Sequence, residues 1–345
     1  MKTFSKPPAL RVGDTIAIVA PASALAVHVP HRLHKARELF EASGYKVKIF
    51  ASVTQTPQQN LTHLLETHPE PPDPAIYGAQ YPAYCSADAI TRAQDLMTAF
   101  LDPQVHAVVC AIGGWGSHEL LELLDFDLIR QHAKIFVGFS GVTSLHCAFQ
   151  AKAGMVSFYG PSAVAQFGEF PEPLADDKTA NWFTRADVTH VNKMKPNTGY
   201  EWLRKGSASG VLLGGCLPVL LTVRGTPFMP DLVDTILLLE TPESDFEFDK
   251  GMPLESINMV LGALRIDGTF AKIQGLVVGR VFGHSEENVD EIKRLIMYHT
   301  RGTQFPILYG IDTGHSDPIL TLPLGCRVTL DSHAGRFSID EAGAQ

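Results

Sequence analysis

Short apolar segments alternate with segments of helical periodicity along the first half of the chain. Residues 14–20 and 106–112 are largely apolar and rich in β-branched side chains, which predicts buried strands, while apolar residues recur at helical spacing over 30–43. The same patterns predict further strands over 45–50 and 134–139 and further helices over 87–101 and 119–124. Buried strands that alternate with helices form parallel sheets covered on both faces. We therefore predict an α/β fold with an N-terminal parallel sheet flanked by helices.

Two stretches without a clear period divide the chain. Residues 54–86 are rich in Pro, Gln, Thr and His and predict a surface insertion, which is either a plain loop or a lid. Residues 166–199 contain several prolines and predict a linker between domains. Because 345 residues suffice for two domains that each bury a core, we predict an N-terminal α/β domain over 1–165 and a smaller C-terminal α/β domain over 200–345. In the C-terminal domain we predict strands over 235–239 and 275–281, helices over 255–266 and 288–300, and a closing hairpin over 327–330 and 336–339.

The composition excludes several classes of protein. A formal net charge of −9 argues against a nucleic-acid partner, because nothing offsets the repulsion between the chain and phosphates. No run of about 18 apolar residues is present, so we expect no membrane-spanning helix. The N-terminus lacks the apolar region of a secretory signal, and five scattered cysteines without C-x-x-C spacing fit reduced thiols rather than a zinc site. We therefore expect a soluble cytoplasmic protein without a metal or cofactor.

The segment 108–126 joins a predicted strand to a predicted helix through a glycine-rich turn. Gly113, Gly114 and Gly116 permit backbone angles that a side chain would forbid. A helix beginning near Ser117 would offer unpaired N–H groups to a developing oxyanion, which is the principle of a nucleophile elbow, although the spacing differs from G-x-S-x-G. The alternative is that Ser117 only caps a helix, since such turns also join strands to helices in inert proteins.

A serine nucleophile requires a general base and a group that orients the base. His315 is the candidate base among 14 histidines, because it lies in the Gly- and Asp-rich loop GIDTGHSDP and loops often carry function. His146 has helical spacing within SLHCAFQ and is expected to be packed. His118 follows Ser117 directly and is expected beside the oxyanion site rather than as the base.

An acidic side chain at a strand end is the candidate orienting group. Glu240 ends the apolar segment TILLLE, and the carboxyl ends of strands in α/β proteins face the crevice where ligands bind. A solvated strand end is the alternative interpretation of Glu240. Glu243 and Asp245 are close rivals for the same role.

Several ordered segments together resemble the LD-carboxypeptidase family of serine peptidases, which includes the microcin C self-immunity hydrolases. LRVGDTIAIVAPAS is similar to the family's first strand and loop, and GGWGS with LLELLDFDLI is similar to its nucleophile motif and helix. KIFVGFSGVTSLH resembles the segment GYSD-x-T, SFYGP resembles the segment after it, and LLGGCL with RGTPFMPD resembles GGNL…GTPY. ILLLETPES and GIDTGHSDPILTLPLG occupy the positions of the acid and of the histidine loop. The resemblance covers nearly the whole chain except residues 54–86.

The resemblance implies the order Ser…Glu…His, which carries over onto Ser117 as nucleophile, Glu240 as acid and His315 as base. It also implies an N-terminal domain that supplies the serine, a C-terminal domain that supplies the acid and the base, and a homodimer. Two residues depart from the family pattern, because Gly141 stands where GYSD has Asp and Cys216 stands where GGNL has Asn.

These residues predict a serine hydrolase that works through an acyl-enzyme. Backbone N–H groups around Gly114, Trp115 and His118 would bind the oxyanion. The resemblance implies an amide bond next to a free carboxylate, such as the bond before the terminal D-amino acid of a murein tetrapeptide. The alternatives are a microcin-C-like aminoacyl-nucleotide substrate, with Trp182 or Trp202 stacking on its ring, another acyl-transfer chemistry, and a non-catalytic binding protein.

Overall fold

The computed structural model describes residues 3–56, 58–60, 62, 66, 84–168, 200–244, 247, 249–316 and 318–345. Most of the predicted insertion over 54–86 and of the predicted linker over 166–199 therefore lies outside the described residues. The strands are β1 (Thr15–Val19), β2 (Lys46–Ile49), β3 (Ala107–Cys110), β4 (Ile135–Gly138), β5 (Ser157–Tyr159), β6 (Glu201–Arg204), β7 (Ser207–Cys216), β8 (Thr235–Glu240), β9 (Gly275–Gly279), β10 (Ile307–Ile311), β11 (Leu322–Leu324), β12 (Arg327–Asp331) and β13 (Arg336–Ile339).

The helical segments connect these strands. The α-helices with described bounds are α1 (Leu25–His28), α2 (Pro30–Ala42), α3 (Ala51–Thr54), α4 (Ala89–Leu101), α5 (Phe126–Gln131), α6 (Thr143–Ala148), α7 (Leu217–Val223), α8 (Leu254–Ile266), α9 (Thr269–Lys272) and α10 (Glu286–His299). Ser117–Leu120 and Ser140–Val142 are 3-10 turns, and Phe149–Ala153 and Ala163–Phe167 are π-helical turns. No helix of the described residues is long and apolar enough to cross a bilayer.

The first sheet has the strand order β11-β5-β4-β3-β1-β2. Strands β1 to β5 run parallel, and β1, β3 and β4 are buried almost throughout because helices cover both faces. Helix α2 begins at Pro30, whose missing N–H suits a first helical turn, and buries Leu33, Ala36 and Phe40. Asp88 caps α4 by accepting a hydrogen bond from the N–H of Thr91. The predicted parallel α/β domain is confirmed.

The second sheet has the order β13-β12-β7-β8-β9-β10-β6. Strands β7 to β10 are parallel, while β6, β12 and β13 extend the sheet in the antiparallel sense. The predicted helices and closing hairpin of this region agree with α8, α10, β12 and β13 to within two residues. The two-domain α/β arrangement is therefore also present.

One predicted element is wrong, and one connection was not anticipated. Residues 119–124 do not form an α-helix: a 3-10 turn ends at Leu120 and irregular turns follow. The strand β11, from the C-terminal part of the chain, pairs antiparallel with β5 at the edge of the first sheet. The two sheets therefore share chain segments, and their carboxyl edges meet where β4, β8 and β10 end.

Candidate active site

Glu240 and His315 meet at the carboxyl edge of the second sheet. Glu240 is the last residue of β8 and is 1% exposed, and His315 lies on the loop after β10. The His315 Nδ1 lies 2.8 Å from the Glu240 Oε2, and since a carboxylate only accepts, Nδ1 carries the proton. The loop is held by Arg280, which donates to the carbonyl oxygens of Ser316 at 3.2 Å and Pro318 at 3.0 Å. The imidazole is thereby left with its unprotonated Nε2 facing the first domain.

Ser140 occupies the position opposite that nitrogen. It follows β4 directly, is half-buried, and its Oγ lies 2.9 Å from the His315 Nε2. Its φ of +60° is in the left-handed region, which is unusual for a residue with a side chain and is typical of strained turns at functional sites. The end of β4, the strained serine and helix α6 form a strand–turn–helix unit. Ser140, His315 and Glu240 thus form a continuous chain of hydrogen bonds.

Ser117, the predicted nucleophile, hydrogen-bonds to the neighbouring turn in this structure. It is 1% exposed, and its hydroxyl donates to the carbonyl oxygen of Gly141 and lies 2.8 Å from the Ser144 Oγ. Here Ser140 rather than Ser117 contacts the imidazole. The role of Ser117 as nucleophile therefore stays a prediction.

A sequence signal for a second serine at this edge was present in the segment GFSG. Ser140 follows a buried strand at G-x-S-G spacing, which is similar to the nucleophile-elbow pattern G-x-S-x-G. The glycines before Ser117 let their loop approach the Ser140 turn closely.

The glycine loop packs directly against Ser140 and Gly141. A Cβ on Gly113 would lie 2.7 Å from the Ser140 Cβ, and Gly114 is held at a φ of +97°. The buried side chain of Arg92 fixes the loop by donating to the carbonyl oxygens of Gly116 and Pro21, both at 2.9 Å. Gly114 therefore lies beside the Ser140 turn.

The other two residues predicted at the oxyanion site lie further along this loop. The side chain of Trp115 is 44% exposed, and His118 is also exposed, within the 3-10 turn. Neither side chain is inserted between the glycine loop and the Ser140 turn.

The electrostatics of the pair follow from burial and contact. Burial alone would lower the pKa of His315, but the charge of Glu240 and their hydrogen bond outweigh it, so the pKa is raised above its ordinary value. Burial would raise the pKa of Glu240, but His315 and hydrogen bonds from His315, Tyr159 and Cys216 hold it below its ordinary value. Glu240 is therefore a buried carboxylate that stays ionised. Burial lowers the pKa of the packed His146 to about 4, so that histidine stays neutral.

Several rivals named from the sequence have other surroundings. The Glu243 Oε2 lies 3.4 Å from the His315 Nε2, but its side chain is 38% exposed and it does not contact Nδ1. Asp245 and Trp182 lie outside the described residues. Trp202 is part of β6 and pairs with Leu308 of β10, so it packs within the sheet.

Comparison with known proteins identifies the chain. Models of the LD-carboxypeptidase N-terminal and C-terminal domains match residues 16–160 and 209–330. The chain belongs to the LD-carboxypeptidase family. It is therefore a hydrolase of the serine peptidase type.

Two relatives and one solved structure illustrate the similarity. A probable murein peptide carboxypeptidase of Bacillus subtilis is 28% identical over 98% of this chain and 95% of its own length. Microcin C7 self-immunity protein MccF of Escherichia coli is 25% identical over 96% of this chain and 94% of its own. The structure of MccF with aspartyl sulfamoyl adenosine has a TM-score of 0.82 at 24% identity, covering 99% of this chain and all of that one, and so shares the fold.

Both departures from the LD-carboxypeptidase pattern lie within the site. The thiol of Cys216 hydrogen-bonds to Glu240, so it occupies a polar position beside the acid. Gly141 is buried, and an added Cβ would lie 1.7 Å from the Gly114 carbonyl oxygen. This chain therefore has no room for the aspartate that is usual in the family segment GYSD.

The close approach at Gly141 leads to a stability prediction. We expect Gly141→Ala to lower the free energy of unfolding by roughly 3 kcal/mol, since overpacking against rigid backbone forces the two turns apart. Gly262→Ala is the matched control, because Gly262 lies within α8 and its added Cβ meets only His299 at an ordinary 3.4 Å. Urea unfolding of the three proteins measures the difference. Equal unfolding midpoints for wild type and Gly141→Ala would contradict the prediction, because they would show that the two turns can move apart with no loss of free energy of unfolding.

Proposed function

We propose that this hydrolase cleaves an amide bond next to a terminal amino acid, with Ser117 as nucleophile, His315 as general base and Glu240 as orienting acid. The observation that carries the proposal is the contact of the His315 Nδ1 with the Glu240 Oε2 at 2.8 Å, which leaves Nε2 unprotonated and able to act as a base. Membership of the LD-carboxypeptidase family supports Ser117, since GGWGS resembles the family's nucleophile motif, and an active-site mutant of MccF has a serine replaced by alanine. A serine, a base and a third group that orients the base are what serine catalysis requires.

The reaction follows from these roles. The Ser117 hydroxyl exchanges its hydrogen bond to the Gly141 carbonyl oxygen for one to the His315 Nε2. Its proton moves to Nε2 while Oγ attacks the scissile carbonyl, and the ionised Glu240 stabilises the imidazolium that forms. Backbone N–H groups around Gly114, Trp115 and His118 bind the oxyanion. His315 then donates the proton to the departing amine, and a water molecule, deprotonated by the same nitrogen, hydrolyses the acyl-enzyme and restores Ser117.

The substrate that we propose is a murein peptide ending in a D-amino acid, cleaved at the L,D amide bond. This choice rests on family membership and on the Bacillus subtilis relative, whose name describes a murein peptide carboxypeptidase. The second candidate is an aminoacyl-sulfamoyl nucleoside. It is favoured by the sequence similarity to MccF over nearly the whole chain and by the aspartyl sulfamoyl adenosine bound in the MccF structure. We further propose a homodimer, as the family resemblance implies.

A fluorophosphonate probe tests the nucleophile without knowledge of the substrate. Trypsin separates Ser117, in the peptide 93–130, from Ser140, in the peptide 135–152, because Arg92, Arg130, Lys134 and Lys152 are the flanking cleavage sites. We expect the probe on Ser117, in peptide 93–130. Labelling of peptide 135–152, where fragment ions distinguish Ser140 from Ser144, would contradict the proposal.

A substrate panel tests the bond that is cleaved. Murein tri-, tetra- and pentapeptides and aminoacyl-sulfamoyl adenosines are incubated with the protein, and products are identified by mass spectrometry. Loss of the terminal D-residue from the tetrapeptide supports the first candidate, and release of the amino acid from the nucleoside supports the second. A protein that reacts with the probe but transfers the acyl group to added amines faster than to water would be an acyltransferase.

The raised pKa of His315 leads to a prediction about pH. The base works as neutral imidazole, so kcat/KM rises with pH through the pKa of His315 in the free enzyme. Because the partner Glu240 outweighs burial and raises this pKa, we expect the acidic limb above the ordinary value of 6.5. The pH profile of kcat/KM on the panel substrate measures it. A limb centred below 6.5 would contradict the paired, ionised Glu240.

A further inference from the structure

A single buried arginine holds the glycine turn on both sides of Ser117. The side chain of Arg92 is 1% exposed, and its Nη1 donates to the carbonyl oxygen of Gly116, directly before Ser117, at 2.9 Å. Its Nη2 donates to the carboxylate of Glu119, which follows Ser117 in the same 3-10 turn. One rigid, planar guanidinium therefore joins the backbone before Ser117 to a side chain after it.

The same guanidinium is anchored at the carboxyl edge of the first sheet. The Arg92 Nε donates to the carbonyl oxygen of Ala87, just before α4, at 2.8 Å. The Nη1 also donates to the carbonyl oxygen of Pro21, just after β1, at 2.9 Å. Arg92 itself belongs to α4. The turn that carries Ser117 is thus fixed relative to β1 and α4, which are distant from it in sequence.

Charge and close packing keep the guanidinium against the turn. A cation as deeply buried as Arg92 requires a charged or hydrogen-bonded partner, and the Glu119 carboxylate forms its ion pair. Gly116 has a φ of +104°, and a Cβ added to it would lie 3.1 Å from the Arg92 Nη1 and 2.6 Å from the Cys85 Sγ. The absence of a side chain at Gly116 therefore lets the guanidinium contact the backbone directly.

We infer that Arg92 is a positioning residue of the hydrolase, which holds the backbone on either side of Ser117 with Glu119 as its charged partner. The inference rests on the proposed role of Ser117 and goes beyond it. Both residues act through the turn rather than on the reacting atoms. The turn has to stay in place while the Ser117 hydroxyl leaves the Gly141 carbonyl oxygen for the base, so a fixed backbone determines where Oγ is directed.

The variant Arg92→Lys tests the inference. Lysine keeps the charge, but one ammonium group cannot reach Ala87, Gly116 and Glu119 together. We expect kcat to fall roughly 10- to 100-fold with little change in KM, because a small misplacement of a reacting group has effects of this size. The rate at which the fluorophosphonate probe labels Ser117 should fall by a similar factor, and this measurement needs no substrate.

Two variants of Glu119 test the other end of the turn. Glu119→Ala removes the acceptor of the Arg92 Nη2, and we expect kcat and the labelling rate to fall roughly tenfold. Glu119→Gln keeps an oxygen that can accept the same hydrogen bond, so it should retain most of the kcat that Glu119→Ala loses. If Arg92→Lys does not fold, this pair still tests whether the guanidinium positions the turn.

Arg204→Lys is the matched control for the same chemical change. Arg204 ends β6 and donates to the Oγ1 atoms of Thr303 at 2.9 Å and Thr300 at 3.1 Å, in the segment before β10. That segment lies at the amino end of β10, opposite the end that leads to His315. Urea unfolding should show a lower midpoint for both lysine variants. Only Arg92→Lys should lose kcat and labelling rate, which separates positioning from stability.

The outcomes distinguish this inference from the proposed function. Wild-type kcat and labelling rates in folded Arg92→Lys and Glu119→Ala, together with an inactive, unlabelled Ser117→Ala, would overturn the inference and leave the proposed nucleophile intact. An equal loss of kcat in Arg204→Lys would also overturn it, because the effect would then follow from stability alone. Full activity in Ser117→Ala would overturn the proposed function itself.

Discussion

Replacing Ser117 with alanine is expected to lower kcat roughly 10⁴- to 10⁶-fold, because loss of a serine nucleophile leaves only binding and oxyanion stabilisation. The hydroxyl that is removed is buried and donates to the Gly141 carbonyl oxygen. Single-turnover and steady-state assays on the panel substrate measure the loss. The fluorophosphonate probe should no longer label peptide 93–130, and the unfolding midpoint should stay near that of wild type, since one lost hydrogen bond contributes about 1 kcal/mol.

Ser140→Ala is the matched control for that variant. It removes the contact between the Ser140 Oγ and the His315 Nε2, so we expect activity within about tenfold of wild type, since one such bond contributes about 1 kcal/mol. The two alanine variants delete the same atom at two serines that stand at the starts of neighbouring turns. An inactive Ser140→Ala beside an active Ser117→Ala would reverse the assignment of the nucleophile.

Replacing Glu240 with glutamine is expected to lower kcat by about 10⁴-fold, as loss of the orienting carboxylate does in other triads. Glutamine keeps the shape, but it cannot accept at both oxygen positions, and Glu240 accepts from Tyr159 at one and from His315 at the other. The imidazole then adopts the tautomer with its proton on Nε2, where it cannot accept the proton of Ser117. Steady-state kinetics above the acidic limb isolate this effect from the titration of His315.

Glu243→Gln provides the comparison for the acid. Glu243 contacts only the Nε2 side of His315 and is partly exposed, so its loss should change kcat far less and should move the acidic limb to lower pH, since its charge helps to raise the pKa of His315. If Glu243→Gln lost more activity than Glu240→Gln, the two carboxylates would have exchanged roles.

Much of the fold was predictable because burial and periodicity determine it locally. The apolar strands β1, β3 and β4 were recognised from their continuous hydrophobic character, and their parallel pairing follows from the helices between them. The helix predicted over 119–124 failed for the opposite reason. Leu120, Leu121 and Leu124 are indeed buried, but irregular turns can bury them as well as a helix can. Apolar spacing reports burial and only indirectly reports conformation.

The site was predictable in part. Glu240 and His315 could be located because each stands at a recognisable place, a strand end and a polar loop. The contact between Ser140 and His315 could not be predicted, because it joins residues far apart in sequence. The close approach of Gly141 to the Gly114 carbonyl oxygen, which packs the two serine turns together, is also a long-range contact. No local pattern contains either distance.

The pairing of β11 with β5 limits which segments can be exchanged between members of this family. The sequence block that matches the C-terminal domain model, 209–330, contains a strand of the other sheet. A fragment that ends before that block would expose the backbone donors and acceptors of β5 along a bare sheet edge, which invites aggregation. The segments that match the two domain models, 16–160 and 209–330, are thus separate in sequence, but the first completes its sheet edge only with β11 of the second. A chimera between relatives has to preserve the fit of β11 on β5 as well as the match between nucleophile and base.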